Sequence, residues 1–218
     1  MPNSEREHCI YVVFSQTHTR FGRVIRRIAK QKYNHASVSL DSSLEQLYAF
    51  GRPQHGAVLL GCLVRESLER YTLRKIDRAV PVAICRIPVK EEEYKWISNR
   101  INAVLEDEEY VYNLFSVLTF PFFRGFAIYK AFTCVEFVAH LMRYLKYTSK
   151  PSCKYTPDEL LYNLKDKKIF EGDIQKYESK LPDTSMYFKP MGFSGYMRSL
   201  KIIGVLIKRS LLNRIHEA

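Results

Sequence analysis

The order of apolar patterns along this 218-residue chain predicts an α+β fold: an antiparallel sheet with helices packed on one of its faces. Two observations carry that expectation. β-Branched and aromatic runs separated by turn residues crowd the first half, whereas helix-period spacing and helix-start signals dominate the second. Neither an internal repeat nor a low-complexity linker breaks the series.

Taken in order, Cys9 to Phe14 is a continuous apolar run expected to form a buried strand. Thr19 would cap a helix to about Lys32, with Phe21, Val24, Ile25 and Ile28 opposite a basic face. His35 to Leu40, Leu44 to Phe50 and Ala57 to Val64 follow as three strands of a meander, parted by Asp41-Ser42-Ser43 and Gly51-Arg52-Pro53. A further strand, Val82 to Ile87, is expected to end at Pro88. Glu91-Glu92-Glu93 then opens a helix, since acidic residues suit its positive end. Cys134 to Tyr147 has helical spacing, and Thr156-Pro157 starts another helix with Thr as cap and Pro in the first turn. We expect one domain over residues 1–175 and a C-terminal extension over 176–218 that ends in a basic, apolar helix.

The composition narrows the function classes. No run of eighteen uncharged apolar residues predicts a spanning helix, and the short apolar stretch at Cys9 to Phe14 lacks the flanks of a secretory signal. A cytoplasmic location is therefore expected. The five cysteines include no Cys-x-x-Cys pair and no His/Asp/Glu cluster has metal-ligand spacing, so neither a disulfide framework nor a metal is predicted. Nine glycines form no phosphate loop, and no cofactor is expected. A net charge of +11 favours anionic partners, among them acidic headgroups or a polyanionic polymer. No helix-turn-helix, finger spacing or aromatic RNA-binding signature points to specific nucleic-acid recognition. Thr19 to Lys32 carries six basic residues and no acid, and Arg198, Lys201, Lys208, Arg209 and Arg214 lie among the apolar residues of the tail. Both segments fit peripheral attachment to an anionic membrane surface, and equally a solvated basic face or a helix docked on the core.

Two segments carry the chemistry. Asn34-His35-Ala36-Ser37 places a histidine at a strand start, and Thr133-Cys134-Val135-Glu136 places a cysteine at a helix start. A thiol there feels the positive end of the helix dipole, which favours thiolate, and a histidine at the edge of a sheet packed on that helix can take up its proton. Spacing alone leaves the blander alternative open: a small buried core cysteine and a hydrogen-bonding histidine.

The segments Asn34 to Asp41, Leu47 to Arg52, Gly61 to Glu66, Thr133 to Val138 and Thr156 to Leu161, in this order, resemble the YiiX/YebB-like proteins. These are a circularly permuted, NlpC-type branch of the papain-like superfamily, related to the lecithin retinol acyltransferase-like proteins. The resemblance spans roughly Cys9 to Asp173. It implies a permuted papain-like fold, with Cys134 as nucleophile, His35 as base and an orienting residue on the strand Leu44 to Phe50. There Tyr48 is the best match, with Gln46 on the same face. A tyrosine departs from the carboxylate or histidine many relatives carry. Tyr112 would correspond to the tyrosine before the nucleophile helix, a donor to an oxyanion, although packing fits it too. Glu136, two places into the helix, should point away from Cys134 into a structural role. The implied activity is a thiol hydrolase cleaving an amide or isopeptide bond. The alternatives are an acyltransferase or lipid-ester hydrolase, which would need an apolar channel beside Cys134, and a non-catalytic binding module for anionic surfaces.

Overall fold

The computed structural model describes residues 8–18, 30–57, 60–75, 78–123, 125–182, 186–190 and 192–216. Its centre is a six-stranded antiparallel sheet of order β4-β3-β2-β1-β5-β8, built from β1 (His8–Ser15), β2 (His35–Ser39), β3 (Leu47–Gly51), β4 (Cys62–Arg65), β5 (Pro81–Val89) and β8 (Lys168–Asp173). A parallel pair, β6 (Val111–Tyr112) and β7 (Ala131–Phe132), stands apart from it. Among the described residues the α-helices are α1 (Leu68–Thr72), α2 (Glu91–Glu106), α3 (Leu114–Phe123), α4 (Cys134–Tyr144), α5 (Pro157–Asn163) and α6 (Phe193–His216).

β1 explains the two-layer burial. Its even residues Ile10, Val12 and Phe14 enter the larger core with Ile97 and Ile101 of α2 and Phe137, Val138 and Leu141 of α4. Its odd residues Tyr11 and Val13 face a second core with Tyr71 of α1, Ile84, Ile174 and Leu181. A strand apolar on both sides must be covered on both sides. The expectation of helices on one face is corrected accordingly: α2 and α4 cover one face, while α1 and the chain around Ile174 to Leu181 cover the other. Residues of the expected C-terminal extension thus contribute to the core.

The expected meander forms as β2, β3 and β4, with shifted boundaries. Leu44 belongs to the turn and not to β3, because the Asp41 carboxylate accepts from Ser43 Oγ and from the N–H groups of Glu45 and Gln46, and Leu44 takes a φ of 58°. β5 runs through Pro88, which pairs with Cys9, to Val89. The helix expected at Thr19 to Lys32 falls mostly outside the described residues. Among the described residues no helix is long and apolar enough to cross a membrane.

Candidate active site

Cys134 is the first residue of α4, and Thr133 caps the helix with a reciprocal pair of bonds: Glu136 N–H donates to Thr133 Oγ1 (3.1 Å), and Thr133 N–H donates to Glu136 (2.6 Å). That capping box holds the start of α4 and turns Glu136 away from the thiol. The Glu136 carboxyl instead accepts from Ser116 Oγ (2.6 Å) and Asn113 Nδ2 (3.4 Å) in a buried cluster. Burial outweighs these bonds and raises it to about 7. The structural role expected for Glu136 is the one observed.

His35 opens β2, opposite Ser15 of β1, and its ring meets Cys134 at the end of the sheet. Nε2 is 2.8 Å from Oε1 of Glu66, which leaves Nδ1 for the sulfur. Glu66 follows β4 directly, and its N–H donates to Leu47 O, extending the ladder by one residue. Ser67 then caps α1, which brings Arg70 back over Glu66, Nε to Oε2 at 2.8 Å. Arg70 is itself fixed by a bond from Nη1 to Arg52 O (2.8 Å) and by the Tyr187 ring, 4.5 Å away. The row Arg70–Glu66–His35–Cys134 alternates in charge when the thiol is ionised.

Burial works against each of these charges, and the neighbours outweigh it. Arg70 and His35 hold Glu66 down at about 2. The negative sulfur and carboxylate on either side raise His35 to about 10. Cys134 is lowered by the imidazolium and by backbone N–H groups of Ala36 and Val135. Both shifts favour the charged forms, thiolate beside imidazolium. At Cys85 and Cys153 burial outweighs the neighbours and moves the thiol the other way, Cys85 to about 12.

Tyr112 also hydrogen-bonds the Cys134 sulfur. It reaches the site because β6 runs parallel to β7, directly before α4, and because residue 61 is glycine: Tyr112 N–H donates to Gly61 O at 2.8 Å, and a Cβ on Gly61 would sit 2.3 Å from that of Tyr112. Burial and the negative charge of Cys134 keep the phenol protonated, so it is a donor at neutral pH.

Tyr48 does not take part. It lies mid-strand opposite Val38 and Arg65, packed against the larger core, and both ring nitrogens of His35 are already engaged. Gln46 is exposed in the Asp41 turn. The expectation looked to the strand beside β2, but the carboxylate comes from the end of the next one, β4. A partial signal was present: Glu66 and Arg70 are spaced four apart, as an ion pair on one helix face would be.

Beside Cys134 lies a cavity of about 80 Å³, walled mainly by Tyr33, Val117, Phe120, Val135, Tyr155 and Pro157. Ser116 and Glu136 also line it. Among the described residues no group of three His, Cys, Asp or Glu side chains could hold a metal. No family model, curated protein or solved structure matches this chain.

Proposed function

We propose that the protein is a thiol hydrolase that cleaves an amide or isopeptide bond through an acyl-enzyme on Cys134, on a circularly permuted papain-like fold, acting in the cytoplasm. The observation that carries this reading is the unbroken chain Cys134–His35–Glu66–Arg70 at the N-terminus of α4. The order His before Cys along the chain and the helix packed on an antiparallel sheet support the permuted fold. Five free cysteines suit a reducing compartment.

In this mechanism the Cys134 thiolate attacks the carbonyl carbon and an S–C bond forms. The oxyanion is met by the Tyr112 hydroxyl and by the Cys134 N–H, which as a first-turn amide has no partner within the helix. The His35 imidazolium gives its proton to the leaving nitrogen as the C–N bond breaks. Water then attacks the thioester while His35 takes a proton from it, and the thiolate is restored as the acid leaves. Glu66 keeps the ring in place and stabilises its charge throughout, and Arg70 keeps Glu66 ionised.

The apolar cavity favours a second reading of the substrate, a lipid ester or an acyl donor for transfer, because its carbon-rich walls lie beside the nucleophile. Mass spectrometry of the intact protein after incubation with 4-nitrophenyl esters of graded acyl length and with peptide 4-nitroanilides tests both. A covalent acyl adduct on Cys134, absent in Cys134→Ala, supports the thiol chemistry, and the better substrate class chooses between amide and ester. If no acyl adduct forms and iodoacetamide labels Cys134 no faster than Cys153, the proposal fails and a non-catalytic binding module remains.

A further inference from the structure

α6 is 24 residues long and contains no acidic residue. It rests on the protein through Ile202 and Leu206, which join Val111, Ile128 and Ala131 in a third apolar cluster, and through Arg209, whose Nη1 donates to the carbonyls of Glu109 (2.9 Å) and Tyr129 (3.2 Å). Such a docked helix should be polar on its outer side. Here it is not.

Phe193, Met197, Leu200, Ile207 and Leu211 recur at helical spacing and fall within an arc of about 80° at 3.6 residues per turn, opposite Ile202 and Leu206. All are exposed, Phe193 to 81%, Leu200 to 61% and Leu211 to 58%. Gly204 occupies the same line, with nothing within 4 Å of where its Cβ would be. Exposed Lys201 and Lys208 border the stripe. Beside α6, Tyr129 is 65% exposed beneath Arg209, and exposed Leu118 projects from α3, whose Leu114 and Phe115 pack against the third cluster. α3 also supplies Val117 and Phe120 to the cavity beside Cys134.

We propose that the outer face of α6 lies on an anionic lipid bilayer, with Phe193, Met197, Leu200, Ile207 and Leu211 in the acyl boundary and Lys201 and Lys208 at the headgroups. Charge selects this occupant: an apolar stripe bordered by lysines, on a helix without a carboxylate and in a chain of net charge +11, complements a negative surface and repels a second copy of itself. The inference does not depend on the chemistry at Cys134.

Co-sedimentation of the full chain with phosphatidylcholine vesicles, with and without phosphatidylglycerol, at low and high salt is the test. Binding is expected to require phosphatidylglycerol and to weaken with salt. The pair Leu200→Glu and Ile207→Glu should reduce the affinity ~10-fold or more, and the pair Lys201→Gln and Lys208→Gln by roughly the same factor at low salt. All four side chains are exposed, so circular dichroism of both variants should match the parent. Absence of binding to phosphatidylglycerol vesicles, or binding unchanged by both pairs, overturns the proposal. So does a dimer in sedimentation equilibrium that Leu200→Glu with Ile207→Glu dissociates, since the stripe would then be a self-association surface.

Discussion

α4 and α5 begin with the same local device. Thr133-Cys134-Val135-Glu136 and Thr156-Pro157-Asp158-Glu159 both form a reciprocal capping box between threonine and glutamate. In α5 the arrangement ends there: Pro157 fills the first turn, and Glu159 is one-third exposed beside Lys150. In α4 the first residue is a thiol that faces His35, and Glu136 is sealed in with Asn113 and Ser116. One start signal gives a helix end in one place and, in the other, a thiol whose pKa is lowered. The difference lies in what the sheet brings to the helix end, not in the cap.

The largest effect expected is on the thiol. Iodoacetamide should alkylate Cys134 faster than Cys85 or Cys153, with a rate that rises at a pH below the ordinary thiol range, because the Cys134 pKa is lowered while the other two are raised by burial. His35→Ala removes the imidazolium and leaves only the backbone N–H groups of Ala36 and Val135 to oppose burial, so the rate at neutral pH should fall by ~10²-fold and the profile move to higher pH. Peptide mapping over a pH series reads both, and an unchanged profile in His35→Ala would dissolve the pair.

Glu66→Ala should cost ~3–5 kcal/mol of stability, because it leaves buried Arg70 unpaired, and should also lower Cys134 reactivity. Tyr48→Phe should change neither. In the parent the Glu66 contribution is complete above about pH 4.5 and is lost as pH falls toward about 2, since its folded pKa is depressed. Urea unfolding of the two variants at neutral pH, with alkylation rates alongside, separates Glu66 from Tyr48.

Glu136 has the opposite sign. Its folded pKa is raised from 4.5 to about 7, so the folded state keeps a proton that the unfolded chain has lost. Stability should therefore fall as pH rises from about 4.5 to about 7, by up to ~3 kcal/mol, and level off above. Glu136→Gln should flatten that part of the stability profile relative to the parent; equal slopes in both proteins would contradict a buried proton at this site.

The smallest effect distinguishes the two caps directly. Thr133→Ala and Thr156→Ala should each cost ~1 kcal/mol by urea unfolding, through loss of one cap bond. Only Thr133→Ala should alter the alkylation rate of Cys134. If Thr156→Ala alters it equally, the two helix ends are coupled and do not act separately.

Much was legible in the sequence because it is local. An acidic first turn marks α2, apolar periodicity α4 and a Thr-Pro start α5, and the local pattern places Cys134 at a helix start and His35 at a strand start. The continuous run Cys9 to Phe14 announces a strand buried on both faces, a property of the pattern itself.

What only the tertiary structure decided is which distant groups share a site. Glu66 reaches His35 across β3, Tyr112 reaches the sulfur through a parallel pairing closed over Gly61, and α6 turns its apolar stripe outward because Ile202 and Leu206 occupy the docking face. Spacing relates Glu66 to Arg70 and lines up the stripe of α6, but not the group or surface that each meets, which depends on how strands order themselves in the sheet and on which face a helix docks. The physical reason is burial: the sequence by itself names the ionisable groups, but their charge states follow from the desolvation and partners that the fold supplies.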